Sequence, residues 1–283
     1  METVSISDIV SALRKAKLRS GDVVNVHSRL FAIGSVSNVP VSEIPKAYLR
    51  AFREVIGDTG TVVAPTYTTS FGRFGTPFIL EESPSEMGVF SEHVRRTPGA
   101  VRSLHPIQSL TALGGRAELL ATDHPTWNVG HDTIWDRMLQ RGGKVVTLGL
   151  PPRESMSFMH QVEFQACVPY LYNKVLRGEV YAGGTQVCRD FLMATRYLQY
   201  GINYDLSQLE TDLTRMYAIE RVPLGGSWIW SVPMEAAFEV GLKGLRHDPY
   251  YLLQVAPSFV DGEAPVDGTT IDREGVAPQY FLS

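Results

Sequence analysis

A histidine and a glutamate three residues apart are the side chains of this sequence best suited to move a proton. Residues 145–150 before them are apolar and end in Thr-Leu-Gly-Leu, which predicts a buried strand. A proline-containing loop follows, and residues 158–165 then have the spacing of a helix with an apolar face. His160 and Glu163 lie one turn apart on that helix. Because α/β proteins keep reactive groups just past the carboxyl ends of strands, this position favours a reactive site.

Two other predicted strands also end in polar residues. Residues 23–26 are apolar except for one asparagine and run into His-Ser-Arg at 27–29, and residues 61–64 run into Pro-Thr-Tyr at 65–67. If these strands lie beside the strand at 145–150, their ends form one rim. A rim of this kind is where α/β sheets hold ligands.

The elements that must position these residues alternate between strand and helix. This alternation over residues 1–165 predicts an α/β layered domain. The polar connection at 68–85 is long enough to be an active-site loop. Residues 170–255 show hairpin and helix patterns, and we expect an α+β extension that packs on the first domain. The segment 256–283 is rich in Gly, Pro and Asp, which predicts a tail or an arm that wraps a neighbour in a homodimer.

Composition indicates an ordinary globular protein. Of 283 residues, 44% are hydrophobic and 20% charged, and the net charge of −4 supplies no basic stripe for nucleic acid. No apolar run approaches 18 residues, so we expect no membrane span. Cys167 and Cys188 are too few for a disulfide framework. We therefore expect a cytoplasmic protein in which both cysteines are small buried hydrophobes.

Several common chemical signatures are missing from the sequence. It contains no phosphate-binding GxxxxGK[ST], and no GxGxxG at a strand-to-helix turn. It also has no GxSxG elbow of an α/β-hydrolase. With no HExxH, no CxxC and no carboxylate cluster at ligand spacing, we expect no metal.

An ordered set of short motifs runs through the first part of the sequence. The set consists of His27-Ser28-Arg29-Leu30 with Gly34, Gly60-Thr61 leading to Pro65-Thr66-Tyr67, Pro84-Ser85-x-Met87-Gly88, Ser91-Glu92, Arg95, Pro98-Gly99-x-x-Arg102-Ser103-x-His105-Pro106-x-x-Ser109-x-x-x-x-Gly114 and His160-x-x-Glu163. Each motif alone is weak, but the ordered set is specific. It resembles the aminoglycoside 3-N-acetyltransferase family, a broad family that also includes enzymes acylating the amino group of nucleotide-linked sugars.

The resemblance implies a three-layer αβα fold with a central sheet. Residues 1–169 would then be the acyl-CoA-binding catalytic core, and 170–255 the smaller extension. It also implies acyl-CoA as co-substrate, with an acetyl or longer acyl group. The acceptor would be a primary amine that attacks the thioester directly.

The same resemblance assigns roles to residues. His160 would be the general base, because a protonated amine must lose a proton before its lone pair can attack. Glu163 would orient the imidazole or hold the ammonium. The predicted cofactor-binding residues, which include oxyanion donors, are Ser28, Arg29, Leu30, Thr66, Arg102, Ser103, His105 and Ser109. The predicted substrate-binding residues are Tyr67, Arg73, Glu82, Tyr170 and Lys174. His27 we expect to be structural.

Arg29 stands where the family usually has a second serine, and its charge affects which acceptor the site would favour. Its permanent charge joins several other rim cations, namely Arg73, Arg153, Lys174 and Arg177. Mixed charge with several arginines favours an anionic acceptor such as a nucleotide-linked amino sugar. Two alternatives stay open: an aminoglycoside-inactivating acetyltransferase, and a non-catalytic relative in which Arg29 closes the acyl site.

Overall fold

In the computed structural model, which describes residues 2–197 and 200–259, a seven-stranded mixed sheet lies at the centre of the protein. In order across the sheet, its strands are β13 (Glu220–Leu224), β14 (Ser227–Pro233), β8 (Lys144–Leu148), β2 (Val23–Ser28), β4 (Thr61–Pro65), β7 (Leu110–Gly114) and β6 (Val101–Arg102). The three strands expected to lie side by side, β8, β2 and β4, are parallel neighbours. The prediction that their ends share one edge is therefore confirmed.

Helices cover both faces of this sheet. The α-helices are α1 (Ile6–Lys15), α2 (Ile44–Ile56), α3 (Thr69–Phe74), α4 (Val89–Arg96), α5 (Ala117–Ala121), α6 (Ile134–Leu139), α7 (Met159–Ala166), α8 (Ser207–Arg215) and α9 (Met234–His247). Helices α1, α2 and α4 share one hydrophobic cluster with the sheet, and α5 to α9 share another on the opposite face. The expected αβα layering is present.

Successive strand residues contribute to opposite clusters. In β2, Val23 belongs to the cluster of α5 to α9, while Val24 and Val26 belong to the cluster of α1, α2 and α4. All three side chains are at most 1% exposed. Strands buried on both faces explain the nearly continuous apolar runs in the sequence.

Local signals set the helix ends. Helix α1 begins at Ile6, where Ser5 and Asp8 form a capping box across its first turn. Helix α2 has Pro45 in its first turn and ends before Gly57, which adopts a positive φ of 68°. Proline in a first helical turn and glycine just past a helix end are both common signals.

Three small sheets complete the described structure. They consist of β1 (Thr3–Val4) with β3 (Ser35–Val36), of β5 (Phe78–Ile79) with β10 (Val180–Ala182) and β11 (Thr185–Gln186), and of β9 (Leu171–Leu176) with β12 (Phe191–Arg196). Strands β10 and β11 form the hairpin expected around Gly183 and Gly184. The connection at 68–85, expected as a loop, contains α3 and β5.

The central sheet crosses the expected domain boundary at residue 169. Strands β13 and β14 come from the segment 170–255, yet β14 pairs antiparallel with β8. Helices α8 and α9 from the same segment pack in one hydrophobic cluster with α6 and α7. The division into a core and an extension stays a prediction, and the expected tail at 256–283 lies outside the described residues from 260 onward.

The prediction of two buried cysteines is wrong, because both are exposed. Cys167 caps the carboxyl end of α7 in a left-handed conformation with φ of 52°, where the chain turns outward. Cys188 follows the short strand β11, whose residues are also exposed. Within the described part of the chain, no helix combines the length and apolar character needed to cross a membrane.

Candidate active site

The loops after β2 and β8 meet at one edge of the sheet. The backbone N–H of Arg29 donates to the carbonyl of Leu148 at 2.7 Å. Gly149 has a φ of +77°, and a Cβ on it would lie 2.3 Å from the carbonyl oxygen of Arg29. Only glycine fits this close approach. Gly149 therefore allows the loop after β8 to pack directly against the loop after β2.

Helix α7 starts just beyond this edge and carries His160 in its first turn. The Nδ1 atom of His160 lies 2.7 Å from Oε2 of Glu163. The hydroxyl of Tyr170 donates to Oε1 of the same carboxylate at 2.7 Å, and that of Tyr204 donates to Oε2 at 3.3 Å. Glu163 and Tyr170 are fully buried, whereas the His160 side chain is 29% exposed. We call these four residues the histidine cluster.

The hydrogen bonds of the histidine cluster fix the tautomer of the imidazole. Burial, together with the charge of Glu163, raises the pKa of Tyr170 and of Tyr204 well above the usual tyrosine value, so both hydroxyls stay protonated and donate. The carboxylate of Glu163 is then an acceptor, which places the proton of neutral His160 on Nδ1. Nε2 keeps its lone pair and has no hydrogen-bond partner among the described residues.

Aromatic and cationic contacts hold the Tyr204 ring in this cluster. Its centroid lies 5.4 Å from that of the His160 ring, at an interplanar angle of 64°. The guanidinium carbon of Arg196 lies 5.2 Å from the Tyr204 centroid. Nothing in the local sequence around Tyr204 singles it out, and sequence reasoning missed it.

Arg102 lies under the long connection, with its guanidinium bound to neighbouring groups. Its Nε donates to Oγ of Ser109 at 2.9 Å, and Nη2 donates to the carbonyl of Thr66 at 2.6 Å. Nη1 donates to the carbonyls of Leu80 and Ser83 at 3.2 and 2.6 Å. We call Thr66, Arg102 and Ser109 the loop-holding network. Arg102 is only 9% exposed, and these contacts do not support its predicted role as a CoA phosphate ligand, which stays a prediction.

The hydroxyl of Thr66, predicted as an oxyanion donor, is used inside this network. It lies 3.2 Å from the carbonyl of Ser109 and 3.0 Å from the hydroxyl of Thr111, and Thr66 is fully buried. In this conformation the hydroxyl caps the end of a strand. Its role as an oxyanion donor stays a prediction.

Ser103 and His105, also predicted as CoA ligands, shape the turn before β7. Oγ of Ser103 accepts from the N–H of Leu110 at 2.9 Å. Nδ1 of His105 accepts from the N–H of Gln108 at 2.9 Å, and its Nε2–H donates to the carbonyl of Leu192 at 3.2 Å. Burial lowers the pKa of His105 to about 3, so this ring is neutral. Both side chains have structural contacts, and their binding role stays a prediction.

Further charged residues from the motifs hold the same connection. Arg95 donates from Nε and Nη2 to the carboxylate of Glu92, and from Nη1 to the carbonyl of Glu81 at 2.7 Å. Glu92 also accepts from the N–H of Ser85 at 2.8 Å. Glu86 accepts from the first two backbone N–H groups of α3. Arg95, Glu92 and Glu86 therefore anchor this segment.

The predicted cofactor residues of the β2 turn lie at the sheet edge. Ser28 is the last residue of β2 and is half-buried. Arg29 is exposed, and its Nη2 donates to Oε2 of Glu154 at 3.1 Å. Leu30 begins a 3-10 helix over residues 30–32, whose first N–H groups have no partner within the helix. These positions suit oxyanion or cofactor contacts, which stay predictions.

The five predicted substrate residues differ in exposure. Tyr170 is fully buried with its hydroxyl on Glu163, so its contacts are those of a positioning residue. Tyr67 is 7% exposed and Lys174 is 5% exposed. Glu82 is exposed on the 68–85 connection, and Arg73 is half-buried in α3. Their roles in substrate binding stay predictions.

His27, expected to be structural, is buried inside β2. Its Nε2 lies 2.9 Å from Oδ1 of Asn25, and burial lowers its pKa to about 4. Its hydrogen bond lies within the strand and not in the following turn. Searched over the described residues, the structure holds no group of three or more His, Cys, Asp or Glu side chains arranged for a metal.

A family model described as aminoglycoside 3-N-acetyltransferase matches residues 25–246. Aminoglycoside N(3)-acetyltransferase VII of Streptomyces paromomycinus is 34% identical over a stretch that covers 54% of this chain and 57% of that protein. Aminoglycoside N(3)-acetyltransferase VIII of Streptomyces fradiae is 32% identical, with 68% and 73% covered. The chain thus spans little more than half the length of the first relative.

Solved structures show the same fold. The crystal structure of aminoglycoside acetyltransferase AAC(3)-Xa matches with a TM-score of 0.73 and 24% identity, covering 88% of this chain and 94% of that one. A binary complex of AAC-IIIb with CoASH matches with a TM-score of 0.73 and 21% identity, covering 90% and 100%. At these identities the structural likeness establishes the fold, while the family model covers most of the chain. The chain belongs to the aminoglycoside 3-N-acetyltransferase family.

Proposed function

We propose that this chain is an acetyl-CoA-dependent N-acetyltransferase that acylates a primary amine of an aminoglycoside, with His160 as general base. The observation that carries this proposal is the pairing of His160 Nδ1 with buried Glu163 at 2.7 Å, which leaves Nε2 available beside the sheet edge. Family membership and the curated relatives, named aminoglycoside N(3)-acetyltransferases, supply the reaction class and the acceptor class.

In the proposed reaction, one histidine accepts the proton of the amine and then returns it to the leaving thiolate. The amine lone pair attacks the thioester carbonyl carbon, and Nε2 of His160 takes a proton from the amine nitrogen. The tetrahedral intermediate then collapses, the carbon–sulfur bond breaks, and the CoA sulfur takes the electron pair and the proton from Nε2. A positioned imidazole contributes about 10²–10⁴-fold to such a rate. Glu163 stabilises the imidazolium that forms between the two proton transfers.

The oxyanion of the intermediate needs donors that are already in place. The turn of residues 28–30 follows the carboxyl end of β2, beside the end of β8, and the first N–H groups of its 3-10 helix have no partner within that helix. Of the groups predicted as donors, these amides suit the role better than the engaged hydroxyl of Thr66.

The charge argument for an anionic acceptor weakens in the structure. Arg29 is paired with Glu154, and Arg153 donates to Glu210 at 3.1 Å. Two of the rim cations are thus balanced by carboxylates that sequence reasoning did not count. A nucleotide-linked amino sugar is the second acceptor class, favoured by Arg29 in place of the usual serine and by the other predicted rim cations Arg73, Lys174 and Arg177.

Thiol release from acetyl-CoA separates these acceptors. The wild-type chain would be assayed with aminoglycosides that carry or lack a 3-amino group, and with nucleotide-linked amino sugars. We expect turnover only with aminoglycosides that carry the amine. Turnover confined to the nucleotide sugars would overturn the aminoglycoside assignment. Calorimetric binding of CoA without turnover on any amine would instead establish the non-catalytic alternative.

A further inference from the structure

The carboxylate of Glu163 has more donors than a general-base pair requires. His160 Nδ1–H and the Tyr204 hydroxyl share Oε2, at 2.7 and 3.3 Å, while the Tyr170 hydroxyl binds Oε1 at 2.7 Å. The Glu163 side chain is completely buried. A carboxylate offers about four lone-pair positions, so three of them are occupied within the protein.

This arrangement decides between the two roles open for Glu163. To hold the ammonium of an acceptor, the carboxylate would need a free oxygen that solvent or substrate can reach. Oε1 faces Tyr170, which is itself fully buried, and Oε2 already has two donors. Glu163 therefore acts on the reaction through His160, and the acceptor ammonium must be held by other groups.

We propose that Tyr170 and Tyr204 are positioning residues for the proton transfer, with Tyr170 anchoring the Glu163 carboxylate and Tyr204 limiting how strongly it binds His160. This inference rests on the proposed function, since it concerns the same base. The two hydroxyls have different tasks because they bind different oxygens. Tyr170 is the only donor to Oε1 among the described residues, whereas Tyr204 competes with His160 for Oε2.

The Tyr204 hydroxyl reduces the negative charge that the Glu163 carboxylate presents to His160. A donor that shares Oε2 withdraws part of the carboxylate charge from Nδ1–H and so stabilises the imidazolium less. Removing that hydroxyl leaves more charge for His160, which then holds a proton up to a higher pH. The neighbouring charged groups are Arg196 over the Tyr204 ring and Asp248, whose charge acts on Tyr170. Neither Arg196 nor Asp248 has a hydrogen bond to Glu163.

Three conservative variants of the full chain test this proposal: Tyr204→Phe, Tyr170→Phe and, as a matched control, Tyr250→Phe. The Tyr250 ring packs 6.1 Å from that of Tyr170, but its hydroxyl has no hydrogen bond to Glu163. Two readouts are compared. One is the pH dependence of kcat and kcat/KM with acetyl-CoA and an aminoglycoside. The other is the titration of His160 by ¹⁵N NMR of histidine-labelled protein without substrate, assigned with His160→Ala.

We expect Tyr204→Phe to move the acid limb of kcat/KM and the NMR titration of His160 together, by about half a pH unit to higher pH. Tyr170→Phe should lower kcat by about 10-fold, because a hydrogen bond to a charged group is lost. Its KM should change by less than 2-fold. Tyr250→Phe should match the wild type in both readouts.

Unchanged titration and unchanged pH profile in Tyr204→Phe would overturn the tuning role, even if Tyr170→Phe failed to fold. A kcat loss in Tyr250→Phe equal to that in Tyr170→Phe would show a packing effect and overturn the anchoring role. The NMR readout needs no turnover. If no acceptor were acetylated by the wild type, the proposed function would fail, while a shifted His160 titration would still support the positioning of the imidazole.

Discussion

The loop-holding network and the histidine cluster both contain residues of the ordered motifs, and they differ in how completely their polar atoms are satisfied. In the loop-holding network, all three guanidinium nitrogens of Arg102 donate to protein oxygens, and its hydroxyls bond to one another or to carbonyls. In the histidine cluster, three donors converge on one carboxylate, and a ring nitrogen of His160 keeps a free lone pair.

This difference is the one we expect between a stabilising role and the proposed catalytic role. A buried polar group whose bonds are all made holds elements together, and its loss leaves partners unsatisfied. A half-exposed base with one oriented nitrogen and one free nitrogen can exchange a proton with a bound molecule. Motif order alone does not distinguish the two groups, because both contribute residues to the same resemblance.

Replacing His160 should give the largest effect. His160→Ala removes the free nitrogen, and we expect kcat to fall about 10³-fold with an aminoglycoside acceptor. The free energy of unfolding should also fall, by about 1–2 kcal/mol, because buried Glu163 loses one of its three hydrogen-bond donors. Thiol-release kinetics and urea unfolding measure the two quantities.

The matched control is His131→Ala, since the His131 side chain is 92% exposed and lies outside the histidine cluster. It should retain wild-type kcat. Near-wild-type turnover of His160→Ala across the pH range would show that His160 is not the base.

Substitution in the loop-holding network should affect stability more than catalysis. Arg102→Met leaves the buried carbonyl of Thr66 and the partly buried carbonyls of Leu80 and Ser83 without this donor, and we expect the free energy of unfolding to fall by about 3 kcal/mol. Arg50→Met, on the exposed face of α2, should change it by less than about 0.5 kcal/mol. Urea unfolding measures both. A 10-fold loss of acetyl-CoA affinity by calorimetry, without loss of stability, would instead support Arg102 as a phosphate ligand.

The sequence predicted the frame of the site better than its contacts. Apolar runs and polar ends placed β2, β4 and β8 side by side, since a run buried on both faces suits parallel strands. The spacing of His160 and Glu163 predicted their contact, because residues three apart on a helix are neighbours.

Contacts between distant segments could not be read from spacing. Tyr204 reaches Glu163 across 41 residues, and Glu154 reaches Arg29 across 125 residues. Such pairs depend on how the extension packs on the sheet, which local periodicity does not encode. For the same reason Tyr170 was predicted to bind substrate, although packing buries it completely.

Buried histidines of the structural kind should make stability depend on pH. The folded-state pKa of His105 lies near 3, below the usual value of 6.5, so the unfolded chain binds a proton there that the folded chain does not. Stability is therefore retained above pH 6.5 and lost as the pH falls from about 6.5 towards 3. Between pH 7 and pH 5 this histidine alone should lower the free energy of unfolding by about 2 kcal/mol.

Urea unfolding at pH 5, 6 and 7 checks this pH dependence, using the slope with pH and not the absolute stability. His105→Gln should remove part of the slope, whereas His131→Gln should leave the slope nearly unchanged. An identical slope in His105→Gln and the wild type would show that His105 does not contribute to the acid sensitivity.

Changes to the ion pair of Arg29 and Glu154 should have the smallest effect. Both side chains are substantially exposed, 60% and 42%, so solvent screens their attraction. A double-mutant cycle of the free energy of unfolding, with Arg29→Ser and Glu154→Gln, should give a coupling energy of about 0.5 kcal/mol that decreases in high salt.

Arg29→Ser also restores the residue usual in the family and removes a positive charge from the rim. We therefore expect KM for a polycationic acceptor to fall about 2- to 5-fold at low salt. A rise in KM for Arg29→Ser would mean that Arg29 binds the acceptor directly. That result would favour an anionic substrate.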